Sequence, residues 1–387
     1  MKLAEKSCTG CSACAMVCPQ QCITMLADEE GFLFPQIDAA QCRECGLCEK
    51  ICPVLHPIKT ERESVRAYAA YSTDEQERLA SSSGGIFSLL AKEVLAQGGV
   101  VFGAAFDENF LVHHIEISSL EELELLQGSK YLQSRMEDSF QEVKTELESG
   151  KQVLFSGVSC QISGLKSFLK RDYPNLLTVD VLCHGVPSPK VWKKYIEEQE
   201  KNHAASLRRM FFRHKTYGWK KYAVSFEYSN DTADEQVFGK DLFMQMFLQN
   251  ICLRCSCYEC RFNSLDRESD ITLGDCWSID DVFPDMNDDK GISVVLTHSK
   301  KGQEWLAKIG ENLILREGDV EKLLPVGSGG RTAVKMHPKR DKFFRKLNQG
   351  TSIQELVRLI KQPFPRRVHS FCRRALGKAY RTVKKFI

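Results

Sequence analysis

With 387 residues, 43% of them hydrophobic, the chain can bury a sizeable core and has the length of two or three domains. Its formal net charge of +2 is unevenly spread: eight Lys and Arg and no acid fall between Phe364 and Ile387, leaving about −6 (2 minus 8) for the remainder. The 17 cysteines are spaced like metal sites rather than a disulfide framework, and there is neither an apolar leader nor an apolar run of the roughly 18 residues a membrane span needs, so a reduced, cytoplasmic protein is expected.

The chain opens on CTGCSACAMVCP and reaches CRECGLCEKICP. Each is CxxCxxCxxxCP, and Cys8, Cys11, Cys14 and Cys18 recur 34 positions on as Cys42, Cys45, Cys48 and Cys52. Three thiolates at that spacing wrap one face of a cubane, and the fourth, past a turn and before a proline, points to the other cluster. Ligation therefore crosses: Cys8, Cys11, Cys14 and Cys52 for one [4Fe–4S] cluster, Cys42, Cys45, Cys48 and Cys18 for the second. Structural zinc also uses CxxC pairs, but seldom with a third cysteine two residues on and a terminal CP. Between the repeats ITMLADEEGFLFPQID reads as a hairpin turning at Glu30 and Gly31. Cys22 is off the pattern and reads as a small buried apolar residue.

Four segments are expected: a two-cluster ferredoxin-like domain over 1–57, a polar linker over 58–64, a main domain over 65–345, and C-terminal helices with a basic tail over 346–387. The main domain begins with the strand RAYAAYS, followed by SSSGG at the start of an amphipathic helix that ends at Gly98 and Gly99. Free amides there would suit a phosphate, and a plain serine cap is the simpler reading. VVFGAAF and LVHHIEI are strands, with one of His113 and His114 at the surface and the other hydrogen-bonded in the core. GSKYLQS sets a lysine among small polar residues and an aromatic.

VLFS, a tight loop with Cys160, a helix from Gln161 to Leu169, and a strand from Leu176 to Leu182 make a strand–helix–strand unit with parallel strands. Cys160 and Cys183 then follow the carboxyl ends of neighbouring strands, where open α/β sheets place their ligands. After a helix from Lys190 to Ala205, the alternation in YAVSFEY reads as a half-buried strand, so no nucleic-acid partner is expected. CLRCSCYEC brings Cys252, Cys255, Cys257 and Cys260 so close together that a closed tetrahedron from this loop alone would be cramped. Thiols from elsewhere are expected to complete the site, and Cys160 and Cys183 are the candidates. Cys276 and Cys372 have no assigned role.

GVSCQISGL, DVLCHGVPSP, SCYECRF with SDITLGDCW, the SSSGG and GSKYLQS segments and the cysteine-rich front end together resemble the coenzyme F420 hydrogenase/dehydrogenase β-subunit family over residues 1–345. The resemblance implies a fold that is α+β and α/β: a small bacterial-ferredoxin-like domain, then a larger α/β flavin- and cluster-binding domain, with a basic helical C-terminal tail. It implies a third [4Fe–4S] cluster on Cys160, Cys183, Cys257 and Cys260, leaving Cys252 and Cys255 as spares. It also implies FAD lined by Ser82, Ser83, Gly84, Gly85, Ser129, Lys130, Tyr131 and Ser134, with Gly274 and Asp275 facing the site. Ser159 stands where the family motif has proline.

The function so implied is an iron–sulfur flavoprotein oxidoreductase that takes electrons from ferredoxin or another electron-transfer protein and exchanges them with a small molecule or an F420-like hydride carrier. A non-catalytic electron-transfer subunit is the alternative. His184 and Lys130 are the candidate catalytic groups. The basic tail, with Val368, Phe371, Leu376, Tyr380 and Val383 among its charges, suggests peripheral contact with anionic lipid or an acidic partner.

Overall fold

The computed structural model describes residues 5–58 and 64–360, so most of the expected linker, the basic tail from 361 and Cys372 lie outside the described residues. The cysteine-rich front end holds one antiparallel hairpin, β1 (Ile23–Ala27) against β2 (Leu33–Ile37), with Ile23 opposite Ile37. Each CxxCxxC loop runs into a single helical turn, Ala13–Met16 or Leu47–Lys50, entered through a left-handed residue: Ser12 (φ 62) in the first and Gly46 (φ 71) in the second. The repeat read from cysteine spacing is thus repeated in the backbone.

The main body is built on an eight-stranded mixed sheet. Its strands are β3 (Arg66–Ser72), β4 (Val100–Phe106), β5 (Val112–Ile117), β6 (Val153–Val158), β7 (Leu176–Val181), β11 (Ile271–Asp275), β12 (Ser293–Thr297) and β13 (Leu313–Gly318), in the order β13-β3-β12-β11-β7-β6-β4-β5. The central four, β4, β6, β7 and β11, are parallel, while β5 on one edge and β12, β3 and β13 on the other are joined antiparallel. Both faces are covered, because alternate residues of the apolar central strands point opposite ways. Leu154, Leu177 and Ile271 pack with the helices Ile86–Ala96 and Lys300–Lys308. Val153, Phe155 and Leu176 pack with Ser139–Glu148 and Ser159–Leu169.

A second sheet, β8 (Leu207–His214), β9 (Ala223–Tyr228) and β10 (Ala233–Val237), carries the aromatic core with Trp192, Tyr195 and Phe243. The expected strand at YAVSFEY is thus the middle one of three, and the outer strand's polar ADEQV has no apolar alternation to reveal it. The expected boundary at 345/346 is corrected too. The helix Arg340–Asn348 crosses it, and Phe343, Leu347, Ile353 and Leu356 join the same aromatic core.

The cysteine-rich front end is docked on this body. Ala13, Met16 and Ile51 share a core with Phe140, Ile162 and Leu165. Arg254, 1% exposed, donates from Nε to the Cys8 carbonyl (2.7 Å) and from Nη2 to that of Leu33 (3.0 Å). At the hairpin tip Gly31 (φ +89) lies so close to Lys190 that a Cβ there would come within 2.6 Å of the lysine's own Cβ. Among the described residues no helix is long and apolar enough to cross a membrane.

Candidate cluster and cofactor site

Cys160 is not in a loop as expected: it sits in the first turn of the helix Ser159–Leu169, which begins directly after β6. The Gln161 side chain makes the abrupt entry possible by accepting from the Val158 amide (2.9 Å). The Ser159 hydroxyl, at the family's proline position, donates to Asp180 on β7. Asp180 is paired with Arg267 at 2.8 Å, both side chains being fully buried. This buried network locks the end of β6 to the end of β7.

Beyond β7, Leu182 still donates to the Leu273 carbonyl (2.8 Å) before Cys183, His184 and Gly185 turn away. Gly185 (φ +141) has no room for a side chain, since a Cβ would come within 2.8 Å of Leu253. Residues 186–188 are then zipped to 252–254 by the bridge between Pro187 and Leu253, Arg254 N–H to Val186 C=O (2.9 Å) and Ser188 N–H to Cys252 C=O (2.9 Å). That pairing carries Cys257 and Cys260 to the strand ends, and Cys257 Sγ accepts from the Val186 amide at 3.4 Å.

Three sets of thiols result. Burial, then the proximity of Cys260, Cys183 and Cys257, pushes the Cys160 thiol well up. Cys11 is pushed up to about 12 by burial, with Cys8 and Cys52 adding to it, and Cys14 is raised by burial and by Cys11, Cys8 and Cys52. Cys18, Cys42, Cys45 and Cys48 line one concavity. Cys22 lines it too: it is buried, as expected, in a small apolar cluster with Ile23, and its Sγ also lies 3.4 Å from that of Cys18. Cys252 is buried in the aromatic core, Cys255 lies near Arg340, and Cys276 is buried beside Ser278.

The described cysteines form no disulfide with one another. None of the sets closes on one point as the ligands of a single metal ion do; a four-iron cube takes its thiolates at separate corners. Four soft donors brought together, and in the set of Cys160, Cys183, Cys257 and Cys260 each pushed up by burial, fit a sulfur-liganded iron centre that would hold them as thiolates. The first and third sets are neighbours. Cys11 acts electrostatically on Cys160, and a Cβ on Gly164, in the Cys160 helix, would lie 3.0 Å from Cys11 Sγ.

Cys160, Cys183 and His184 open onto a cavity of about 450 Å³. Ser82, Ser83, Gly85, Ser129, Lys130, Tyr131 and Ser134 all line it, as do Gly274 and Asp275, and so do Thr9 and Gly10 from the loop of the first thiol set. Gly84 does not line it. Its amide donates to Ser293 Oγ (3.0 Å), and a Cβ would strike the Ala70 carbonyl, so it seats the serine loop on the sheet. Ser82 and Ser129 join the two loops by a 2.8 Å hydroxyl contact.

Burial lowers the Lys130 ammonium to about 7; its Nζ donates to the Gln127 carbonyl at 2.9 Å. His184, lowered by burial, bonds Asn250 Oδ1 through Nε2 (2.6 Å). His113 lies beside Glu137 (3.4 Å). His114 is buried and lowered to about 4, so it is neutral, with Nε2–H donating to the Ser156 carbonyl (3.0 Å) and Nδ1 accepting from Ser134 (2.7 Å). Sequence reasoning missed Arg213, Tyr222 and Trp277, which also line the cavity. The available signal was an arginine directly after the aromatic pair Phe211 and Phe212 in β8.

Residues 150–322 match the family described as the C terminus of the coenzyme F420 hydrogenase/dehydrogenase beta subunit, and residues 7–55 match the 4Fe-4S dicluster domain. The chain is 26% identical over 344 residues to a subunit of the F(420)H(2) dehydrogenase of Methanosarcina mazei, an alignment covering 81% of this chain and 90% of that one. It is 39% identical over 61 residues to the PorD subunit of the pyruvate synthase of Methanothermobacter marburgensis, covering 16% of this chain and 64% of that protein. A chain of the F420-reducing [NiFe] hydrogenase complex from Methanosarcina barkeri superposes with a TM-score of 0.45 at 19% identity, covering 75% of this chain and 89% of that one. The chain thus joins a front end that matches a 4Fe-4S dicluster domain to a body whose residues 150–322 match the C terminus of the coenzyme F420 hydrogenase/dehydrogenase beta subunit.

Proposed function

We propose that this chain is an iron–sulfur flavoprotein oxidoreductase. It would pass electrons between ferredoxin or another electron-transfer protein and a small molecule or F420-like hydride carrier bound at FAD. The observation that carries this reading is the convergence of Cys160, Cys183, Cys257 and Cys260 at sheet ends that open onto the 450 Å³ cavity, with Cys11 packed against the helix of Cys160. Iron–sulfur clusters carry single electrons, whereas a flavin exchanges one or two.

The residues divide the work. Cys18, Cys42, Cys45 and Cys48 would hold the cluster facing a partner protein, Cys8, Cys11, Cys14 and Cys52 the next, and Cys160, Cys183, Cys257 and Cys260 the third. Ser82, Ser83, Gly85, Ser129, Tyr131 and Ser134 would orient FAD. Lys130 and His184 would give or take a proton at the cavity wall, a role that the lowering of buried Lys130 to about 7 supports at neutral pH.

Anaerobically purified protein should contain iron and sulfide equivalent to three [4Fe–4S] clusters per chain together with one FAD. Iron equivalent to two clusters, with Cys160→Ser changing nothing, would leave a dicluster protein whose body has been misread. A second reading, a non-catalytic electron-transfer subunit, draws support from relatives that are themselves named as subunits. Reduction of F420 by the isolated holoprotein with reduced viologen would favour the enzyme, and flavin-free protein with full clusters would favour the subunit.

A further inference from the structure

Arg213, on β8, reaches the cavity beside Asp275 at the end of β11. Its side chain is 5% exposed, and it spends a single donor, Nη1, on Asp275 Oδ2. Nε and Nη2 are buried without a hydrogen-bond partner. These two nitrogens share one edge of the guanidinium, the edge whose parallel N–H bonds match two coplanar oxygens. Leaving both unpaired under burial is costly, so the free edge itself points to a ligand.

The surroundings hold that edge still. Asp275 is fixed by Trp219 Nε1, which donates to Oδ1 at 2.9 Å. The guanidinium lies 4.4 Å from the Tyr222 ring centre and 5.4 Å from that of Trp277. Trp277 stacks on buried Trp219 at an interplanar angle of 4° yet stays 44% exposed, offering a flat apolar surface. Asp275 already offsets the guanidinium charge, so a singly charged carboxylate leaves the pocket closer to neutral than a dianionic phosphate does.

We propose that Arg213 is a specificity-determining residue, and that the small molecule exchanging electrons here carries a carboxylate, gripped by Nε and Nη2, on a planar ring that lies against Tyr222 and Trp277. This rests on the reading of the cavity as the reaction chamber; it adds the class of substrate.

The test is calorimetric titration of the anaerobically purified holoprotein with benzoate and with benzamide, its neutral counterpart. Benzoate should bind saturably and at least about 10-fold more tightly than benzamide. Arg213→Lys keeps a cation beside Asp275 but not the two-donor edge, and should weaken benzoate about 10- to 100-fold. The double variant Arg213→Gln with Asp275→Asn, which leaves no unpaired charge, should abolish the preference for benzoate while keeping the wild-type ratio of flavin to iron. Equal binding of benzoate and benzamide, or benzoate binding unchanged in both variants, would overturn the proposal. So would flavin lost from the double variant at unchanged iron, because the edge would then grip the flavin. If wild-type protein carries no flavin, that part of the function reading fails, and the benzoate titration still decides this one.

Discussion

The Ser159 hydroxyl donates to Asp180 and accepts from Arg267 Nη1 at 2.6 Å, within an ion pair that water does not reach. Removing it leaves buried charged groups one hydrogen bond short, a loss on the order of 1–3 kcal/mol. Ser159→Ala should therefore lower the unfolding free energy by that amount, read from the fall in the urea midpoint at unchanged slope. Ser159→Pro, which suits the first helical position, should cost about the same, because it loses the same hydroxyl. A Ser159→Pro protein as stable as wild type would show that the hydroxyl contributes nothing. Lys130 makes a different residue-scale prediction. Its pKa falls from 10.5 in the unfolded chain to about 7 when folded, so between those pH values the unfolded state binds more protons. Stability must then rise with pH from about 7 toward 10.5, relative to Lys130→Met, in which the slope is absent. Urea midpoints of both proteins in flavin-free form at pH 7 and 9 measure it; parallel changes would rule out a buried, uncharged Lys130.

At the scale of elements, the two strand-end cysteines were readable because a strand–helix–strand pattern dictates where parallel strands end, whatever their side chains. Spacing alone set Cys52 with Cys8, Cys11 and Cys14, and the structure brings Cys52 within electrostatic reach of Cys11 and Cys14. The side chains that reach the cavity from elsewhere were not readable: Arg213 and Tyr222 arrive from a separate sheet, and no local periodicity encodes where that sheet lands. Nor could the spacing say that Cys22 meets Cys18, or that Cys160 begins a helix. Helix packing at Gly164 was equally hidden. A methyl group there would stand 2.9 Å from Cys11 Cβ and 3.3 Å from Phe140. Gly164→Ala should cost on the order of 1–3 kcal/mol by overpacking, and it should push the Cys8 loop off the Cys160 helix. Magnetic interaction between the reduced clusters would then weaken in the EPR spectrum at unchanged iron content. An unaltered spectrum would mean that the two thiol sets are not held together by this contact.

For the molecule as a whole, the cysteine-rich front end is useful to the cavity only if it stays docked, since electron transfer falls steeply with distance. Arg254 is the tie. It lies in the segment that carries Cys255, Cys257 and Cys260, bonds the carbonyls of Cys8 and Leu33 at the front end, and lies 4.1 Å from the Phe34 ring centre. Its charge has no carboxylate partner in these bonds, so the carbonyls and the ring compensate for its burial. Arg254→Met preserves the volume of the stem but leaves both carbonyls buried without this donor. Amides of residues 5–55 should then exchange with solvent faster while those of β6, β7 and β11 keep their protection, because the helices flanking the sheet supply most of the apolar cover of those strands. Reduction of the proposed flavin by viologen entering through the front-end clusters should slow at unchanged cluster content. If exchange speeds up equally in the central strands, the front end is part of one cooperative unit with the sheet, and Arg254 is a core residue rather than a fastening between two parts.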